Sequence, residues 1–215
     1  MTENWTEPTA ENVRITCKTF DEWADNPDPA LSILFTQFPN NTDFGHVLLK
    51  VVALNATYST LIRGFSTMKP SFYDVARHMV SLDIDRYLDA GDVGLVERIA
   101  NVETKDGRKA RNYSFATKYC NWHRPQMFPI YDSRVDEYLW QLKHKTSFTS
   151  FHRQDLYYNY PALKRVITEF REHFGLKDFN YKLIDKFLYV AGGQLRQVKM
   201  GESLPGEPAN EASSV

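Results

Sequence analysis

The sequence predicts an all-α fold, and three observations carry that prediction. Apolar residues recur at three- and four-residue spacing through most of the chain, the period that lays one face of a helix against a core. The breaks between those segments place helix-starting Ser, Asp and Pro on one side and helix-ending Gly on the other. No segment alternates apolar and polar residues convincingly, and no βαβ rhythm is present.

Taken in order, residues 29–38, PALSILFTQF, begin with Pro29 in the first-turn position where its missing N–H costs nothing. Residues 44–63 follow the polar NNTD. Their Phe44, Val47, Leu48, Val51, Leu54, Tyr58, Leu61 and Ile62 form one helical stripe, and Gly64 stops it. Ser71 and Asp74 have capping-box spacing ahead of a helix over 72–81. Residues 83–90 read as another helix, ended by Gly91, and Asp92 caps VGLVERIANV. A polar loop, ETKDGRK, leads into the helix that holds Lys118, and Asp132 opens the next one. Residues 143–155 form a connection containing Ser, Thr and His. Pro161 starts PALKRVITEFREHF, which Gly175 stops, and YKLIDKFLYVA is the last helix, ended by Gly192-Gly193. The organisation expected is a partly ordered N-terminal segment over 1–28, one helical domain over 29–200, and a disordered tail over 201–215, where GESLPGEPANEASSV lacks aromatics.

Bulk properties narrow the function classes. Across 215 residues, 42% hydrophobic and 25% charged content is ordinary for a globular chain with a buried core. The formal net charge of −1 supplies no global field toward nucleic acid or membrane, so nucleic-acid affinity would need a local patch. The two cysteines, Cys17 and Cys120, have no neighbours at metal-ligand spacing, and the count excludes a disulfide framework. No cofactor or metal is expected. The polar N-terminus has no apolar signal core, and no apolar run approaches the roughly 18 residues of a membrane span. The expectation is a cytoplasmic protein with no membrane association. Aromatics reach 14%, enough for a large core or for platforms that take flat ligands.

The segment TKYCNWHRPQMFPIYDSRV holds the chemistry. Lys118 sits inside a helix that breaks at Arg124-Pro125, an apolar extended step over 127–131 follows, and Asp132 opens the next helix 14 residues after the lysine. As a helix opener, Asp132 has an obvious capping role. The apolar approach through MFPIY also leaves one side of its carboxylate desolvated, placed to stabilise developing positive charge or to steer a nucleophile. Lys118 reads as a helix lysine with an apolar stem, or as an amine nucleophile competent for a Schiff base.

Together these residues resemble the active-site region of the helix-hairpin-helix DNA glycosylase superfamily, which includes endonuclease III and the 8-oxoguanine glycosylases. That superfamily has a lysine near the start of one helix, then an extended apolar step, then an aspartate opening the next helix. A second likeness lies upstream, where LLKVVALNATYSTLI places Asn55 at the position that wedges into DNA when a base is flipped. The resemblance covers residues 30–142 by pattern. It departs in two places: VETKDGRKARN, with the single Gly107, replaces the Gly-rich hairpin, and the lysine-to-aspartate spacing is several residues shorter. In the longer register Ser114 takes the lysine's place, leaving Asp132 to act alone with water. The cysteines of the iron–sulfur members are missing.

The resemblance implies a DNA glycosylase that flips and excises a modified base from double-stranded DNA. It is a glycosylase with abasic-site lyase activity if Lys118 attacks, and without it if water does. Base excision builds oxocarbenium-like charge on the sugar, which a carboxylate stabilises, and flipping requires a wedge and an aromatic pocket. Tyr58, Trp122, His123, Phe128 and Tyr131 are the nearest aromatics in sequence. KDGRKAR, with Lys105, Arg108, Lys109 and Arg111 against Asp106, is the candidate grip on the phosphate backbone. Two alternatives stay open: a non-catalytic nucleic-acid-binding relative, and an all-α protein-interaction domain. The altered hairpin points away from housekeeping repair and toward modified foreign DNA, such as that of phage.

Overall fold

The structure, a computed structural model, describes residues 5–23, 25–62 and 69–200, with side chains through residue 195. Among the described residues it is predominantly helical. The order is α1 (Ala10–Asp21), α2 (Asp28–Gln37), α3 (Phe44–Tyr58), α4 (Phe72–Val80), α5 (Ile84–Asp89) and α6 (Gly94–Ala100), then strands β1 (Asn101–Glu103) and β2 (Lys109–Arg111). After them come α7 (Tyr113–His123), α8 (Ser133–Thr146), α9 (Arg153–Tyr158), α10 (Tyr160–His173) and α11 (Tyr181–Met200). The expected tail over 201–215 and the expected stop at Gly64 lie outside the described residues.

Local chemistry sets most boundaries. Ser71 and Asp74 form the reciprocal capping box of α4. The Asp92 carboxylate accepts from the Gly94 amide at 2.8 Å ahead of α6, and Gly91 and Gly175 adopt positive φ where chains leave helices. Helix α10 starts one residue before Pro161, with the Asn159 side chain accepting from Ala162 N at 3.1 Å.

Four expectations are corrected. The segment read as a helix end plus a polar loop is an antiparallel β-hairpin pairing Asn101 with Arg111 and Glu103 with Lys109. Strands of three residues are too short to display an alternating pattern. The N-terminal segment holds a full helix, α1, capped by Thr9 and packed along α11. The helix opened by Asp132 runs on to Thr146, and the connection after it contains α9. Most consequentially, Gly192-Gly193 does not end the last helix, which continues to Met200. Gly192 is there for proximity: a Cβ on it would lie 2.1 Å from the Arg134 carbonyl oxygen in the first turn of α8. The pair lets α11 press its backbone onto the helix that Asp132 opens.

The aromatic content mostly builds core. Tyr113, Tyr119, Tyr138, Tyr160, Phe115, Phe128, Phe170 and Phe187 are buried. Three of the tyrosine hydroxyls donate to backbone carbonyls, Tyr113 to Leu156 O (3.1 Å), Tyr138 to Thr6 O (2.7 Å) and Tyr160 to Pro129 O (3.1 Å), and the Tyr119 hydroxyl donates to the Asn41 side chain. Helix α7 lies between α3 and α6 and also touches α2. No helix among the described residues is long and apolar enough to cross a membrane.

Candidate active site

Helix α7 carries Ser114, Thr117, Lys118 and Asn121 on one face, and the last three are buried. Polar residues there look wasteful until the neighbouring segment is considered. The extended step from Met127 to Tyr131 has no β partner, so its backbone groups need side-chain partners. The α7 face supplies them. Thr117 Oγ1 accepts from Tyr131 N (3.1 Å). Asn121 Nδ2 donates to Phe128 O (2.7 Å), and Ser114 Oγ and Lys118 Nζ both donate to Tyr131 O (3.3 and 3.1 Å).

That strap delivers Asp132 to one place. Its backbone is extended (φ −141°, ψ 150°), and its two oxygens have different partners. Oδ1 accepts from Arg134 N at 3.0 Å, capping α8, while Oδ2 lies 3.4 Å from Lys118 Nζ. Lys118 Nζ also donates to Ser114 Oγ at 2.7 Å, so the residues of both sequence registers meet at one point. Lys118 is 2% exposed and Asp132 21%, which leaves the carboxylate as the open partner. The Tyr58 ring centroid lies 5.4 Å from Lys118 Nζ, and Trp122 Nε1 donates to the Tyr58 hydroxyl at 3.1 Å.

A cavity of about 280 Å³ opens in front of this pair. Phe20, Trp23, Tyr58 and Tyr189 supply its flat walls, and Trp23 stands exposed among them. Its charged groups are Lys118 and Asp132, Asp25 and Asp28, and Lys182, Asp185 and Lys186 of α11. Lys182 Nζ pairs with Asp28 Oδ1 (3.3 Å) and sits 3.7 Å above the Trp122 ring. Lys186 bridges Asp28 Oδ2 (2.9 Å) and Asp21 Oδ1 (2.5 Å). Burial lowers the Lys182 pKa, whereas for Lys186 the pairing with Asp21 and Asp28 outweighs burial and raises it.

Asp185 differs from the other acids. It touches the cavity but is otherwise enclosed by protein, and its Oδ1 is buried without a hydrogen-bond partner. Burial drives its pKa up to about 7; Asp132 and Asp28 push the same way, against Lys118 and Lys182. The folded chain thus holds a proton that the unfolded chain has released, so this group makes stability fall as pH rises from about 4 to about 7. Asp185→Asn is expected to flatten that decline, by at most about 4 kcal/mol, in urea titrations at about pH 4 and about pH 8.

The other sequence candidates lie elsewhere. The Asn55 side chain accepts from Thr60 Oγ1 (3.0 Å) and Ile62 N (2.8 Å), which turns the chain out of α3. This is why α3 ends at Tyr58, with Ser59 and Leu61 at positive φ, instead of running to residue 63. Asn55→Ala is expected to lose ~1–2 kcal/mol of stability from those two bonds, read in thermal melts. Of the hairpin cations, Arg108 pairs with Asp106 (2.9 Å) and Asp74 (3.3 Å), Lys109 with Glu103 (3.0 Å), and Arg111 with Glu97 (2.8 Å). Lys105 is exposed beside them. Among the aromatics, Tyr58 lines the cavity, Phe128 is core, and Trp122 and His123 line a neighbouring groove reached past Asp28 and Lys182.

Sequence reasoning missed Asp28, Lys182, Asp185 and Lys186. The available signal was the run Lys182, Asp185, Lys186, Tyr189, one polar stripe at helical spacing among Leu183, Ile184, Phe187, Leu188 and Val190. Among the described residues, no group of three or more His, Cys, Asp or Glu is placed to hold a metal ion.

Comparison with known proteins adds kinship without an activity. A family model described as HI_0787_N, N-terminal domain, matches residues 12–127, a span that includes Ser114 and Lys118 and stops short of Asp132 and Asp185. An uncharacterized protein of Haemophilus influenzae is 37% identical over 132 residues. That alignment covers 61% of this chain and 62% of the relative, less than two thirds of its length. No solved structure matches the chain.

Proposed function

The chain belongs to the HI_0787_N family, and from the site we propose that it is a DNA N-glycosylase with abasic-site lyase activity. It would be a divergent member of the helix-hairpin-helix glycosylase superfamily, with a β-hairpin where the helical hairpin is expected. One observation carries this reading: a buried lysine and a helix-opening aspartate, 14 residues apart in sequence, stand 3.4 Å apart at the wall of a cavity.

The chemistry follows from the two groups. As the C1′–N bond of a flipped nucleotide stretches, C1′ carries oxocarbenium-like charge, which the still-ionised Asp132 carboxylate stabilises. Lys118 then passes its ammonium proton to Asp132 as its amine adds to C1′. Opening of the sugar ring then gives a Schiff base on Lys118, from which strand cleavage proceeds. Ser114 Oγ and Tyr131 O hold the lysine in line. A cavity of about 280 Å³ walled by Phe20, Trp23, Tyr58 and Tyr189 suits one flat ring system. Its size supports a compact modified base over a sugar-bearing phage cytosine. The carboxylates beside Arg108, Lys109 and Arg111 favour modest DNA affinity, set more by the flipped base than by the phosphates.

The test is base release by the purified chain from duplexes carrying single modified bases: 8-oxoguanine, uracil, 7-methylguanine and glucosylated cytosine. Alkali-labile sites on at least one compact base, with some strand nicking before alkali, are expected. Duplex bound without any product would instead favour a non-catalytic DNA-binding relative.

A further inference from the structure

Asp185 lies on the cavity wall opposite no cation of its own. The lining holds four carboxylates, Asp25, Asp28, Asp132 and Asp185, and three lysines. Each lysine already has an acid: Lys118 has Asp132, Lys182 has Asp28, and Lys186 has Asp28 and Asp21. No ion pair reaches Asp185 among the described residues, and its Oδ1 is a buried polar atom without a partner. A proton on Asp185 brings the lining to three negative and three positive charges, and gives the carboxyl a donor to direct at whatever fills the cavity.

The groups that face it agree. Lys118 from α7, Asp132 at the mouth of α8, Asp28 from α2 and Tyr58 from α3 lie within electrostatic range, with Lys182 on its own helix. Asp132 is poorly suited to donate a proton outward, since its oxygens are occupied by Arg134 N and Lys118.

We infer that Asp185 is the general acid of this site, delivering its carboxyl proton to the departing base; the inference rests on the glycosylase reading of the cavity. As the C1′–N bond breaks, its electron pair goes to the base. The Asp185 proton moves onto a base nitrogen or its conjugated oxygen, and Asp185 is left as a carboxylate. The sugar carbon is taken by the Lys118 amine, whose own proton has passed to Asp132. The positive nitrogen formed on Lys118 then faces the new Asp185 carboxylate. The substrate class this selects is a neutral modified base, whose anion is a poor leaving group. Cationic alkylated bases depart neutral and need no proton.

The experiment compares duplexes holding a neutral lesion, 8-oxoguanine or uracil, with duplexes holding cationic 7-methylguanine. Asp185→Asn is expected to lower the ratio of neutral to cationic release by ~100-fold or more. It is also expected to abolish the fall in wild-type rate on neutral bases above about pH 7. An unchanged ratio overturns the inference. A second measurement is independent of how well the variant folds. In carboxyl ¹³C NMR of the wild-type chain Asp185 should titrate near pH 7, and a midpoint below about pH 5 overturns the inference. Borohydride trapping on abasic DNA, which has no base to release, separates the two claims. Trapping retained in Asp185→Asn with neutral-base release lost supports the acid role. Wild-type protein that neither traps abasic DNA nor releases any base overturns the glycosylase reading, and this inference with it.

Discussion

Asp132→Asn is expected to lower base release by about 10³-fold, because it removes the charge that stabilises the sugar cation and accepts the lysine proton. Asparagine caps helices as well as aspartate does, so α8 keeps the bond from Arg134 N, and a fall in melting temperature reports only the lost charge partner of the buried Lys118. Lys118→Gln is the companion variant. Its side chain retains reach toward Ser114 and Tyr131 O but cannot form a Schiff base, so nicking without alkali should disappear. Base release surviving in Lys118→Gln would mean that water attacks and that Asp132 directs it. Release at the wild-type rate in Asp132→Asn would reduce the aspartate to a helix cap.

The largest stability effect is expected at Gly192. An added methyl would lie 2.1 Å from Arg134 O and 3.2 Å from Arg134 Cα, backbone that cannot rotate away. Gly192→Ala must therefore push α11 off the first turn of α8, at a cost of about 3 kcal/mol or more. In a chain of this length that is roughly a 6–12 °C fall in Tm. The same shift separates Asp185 from Asp132, so base release should fall with it. Gly193→Ala is the control: its methyl meets the Arg134 side chain at an ordinary 3.5 Å, and alanine's helix preference should leave stability level or up to about 1 kcal/mol higher. Equal effects from the two variants would show that helix propensity, not the close approach, governs the pair.

These two glycines also show where sequence reasoning reaches its limit. Helix identity and many ends were legible because they are decided within four or five residues, as by Ser71 with Asp74, Asp92 with Gly94, and Gly91 and Gly175. Lys118 and Asp132 were legible for the same reason: both belong to one continuous stretch, helix, extended step and cap. Gly192-Gly193 has two local readings, a helix stop or a close approach, and only the position of α8 decides between them. Asp185 was hidden by a similar ambiguity. Charges three and four residues apart on a helix normally mark a solvated face. Here Phe20 of α1, Asp28 at the start of α2, Tyr58 of α3 and Lys118 of α7 stand around that face and turn it into the cavity wall. The hairpin cations illustrate the converse, since Asp74, about 30 residues upstream, and Glu97 of α6, both outside the loop, balance two of the charges that made it look basic.

The most direct measurement is covalent. Wild-type protein is incubated with duplex DNA containing an abasic site, reduced with borohydride, digested and mapped by mass spectrometry. A single adduct on Lys118, absent in Lys118→Gln and reduced in Asp132→Asn, is the result expected from the pair at 3.4 Å. An adduct on any other lysine, Lys182 or Lys186 included, would contradict the assignment of Lys118 as the attacking amine.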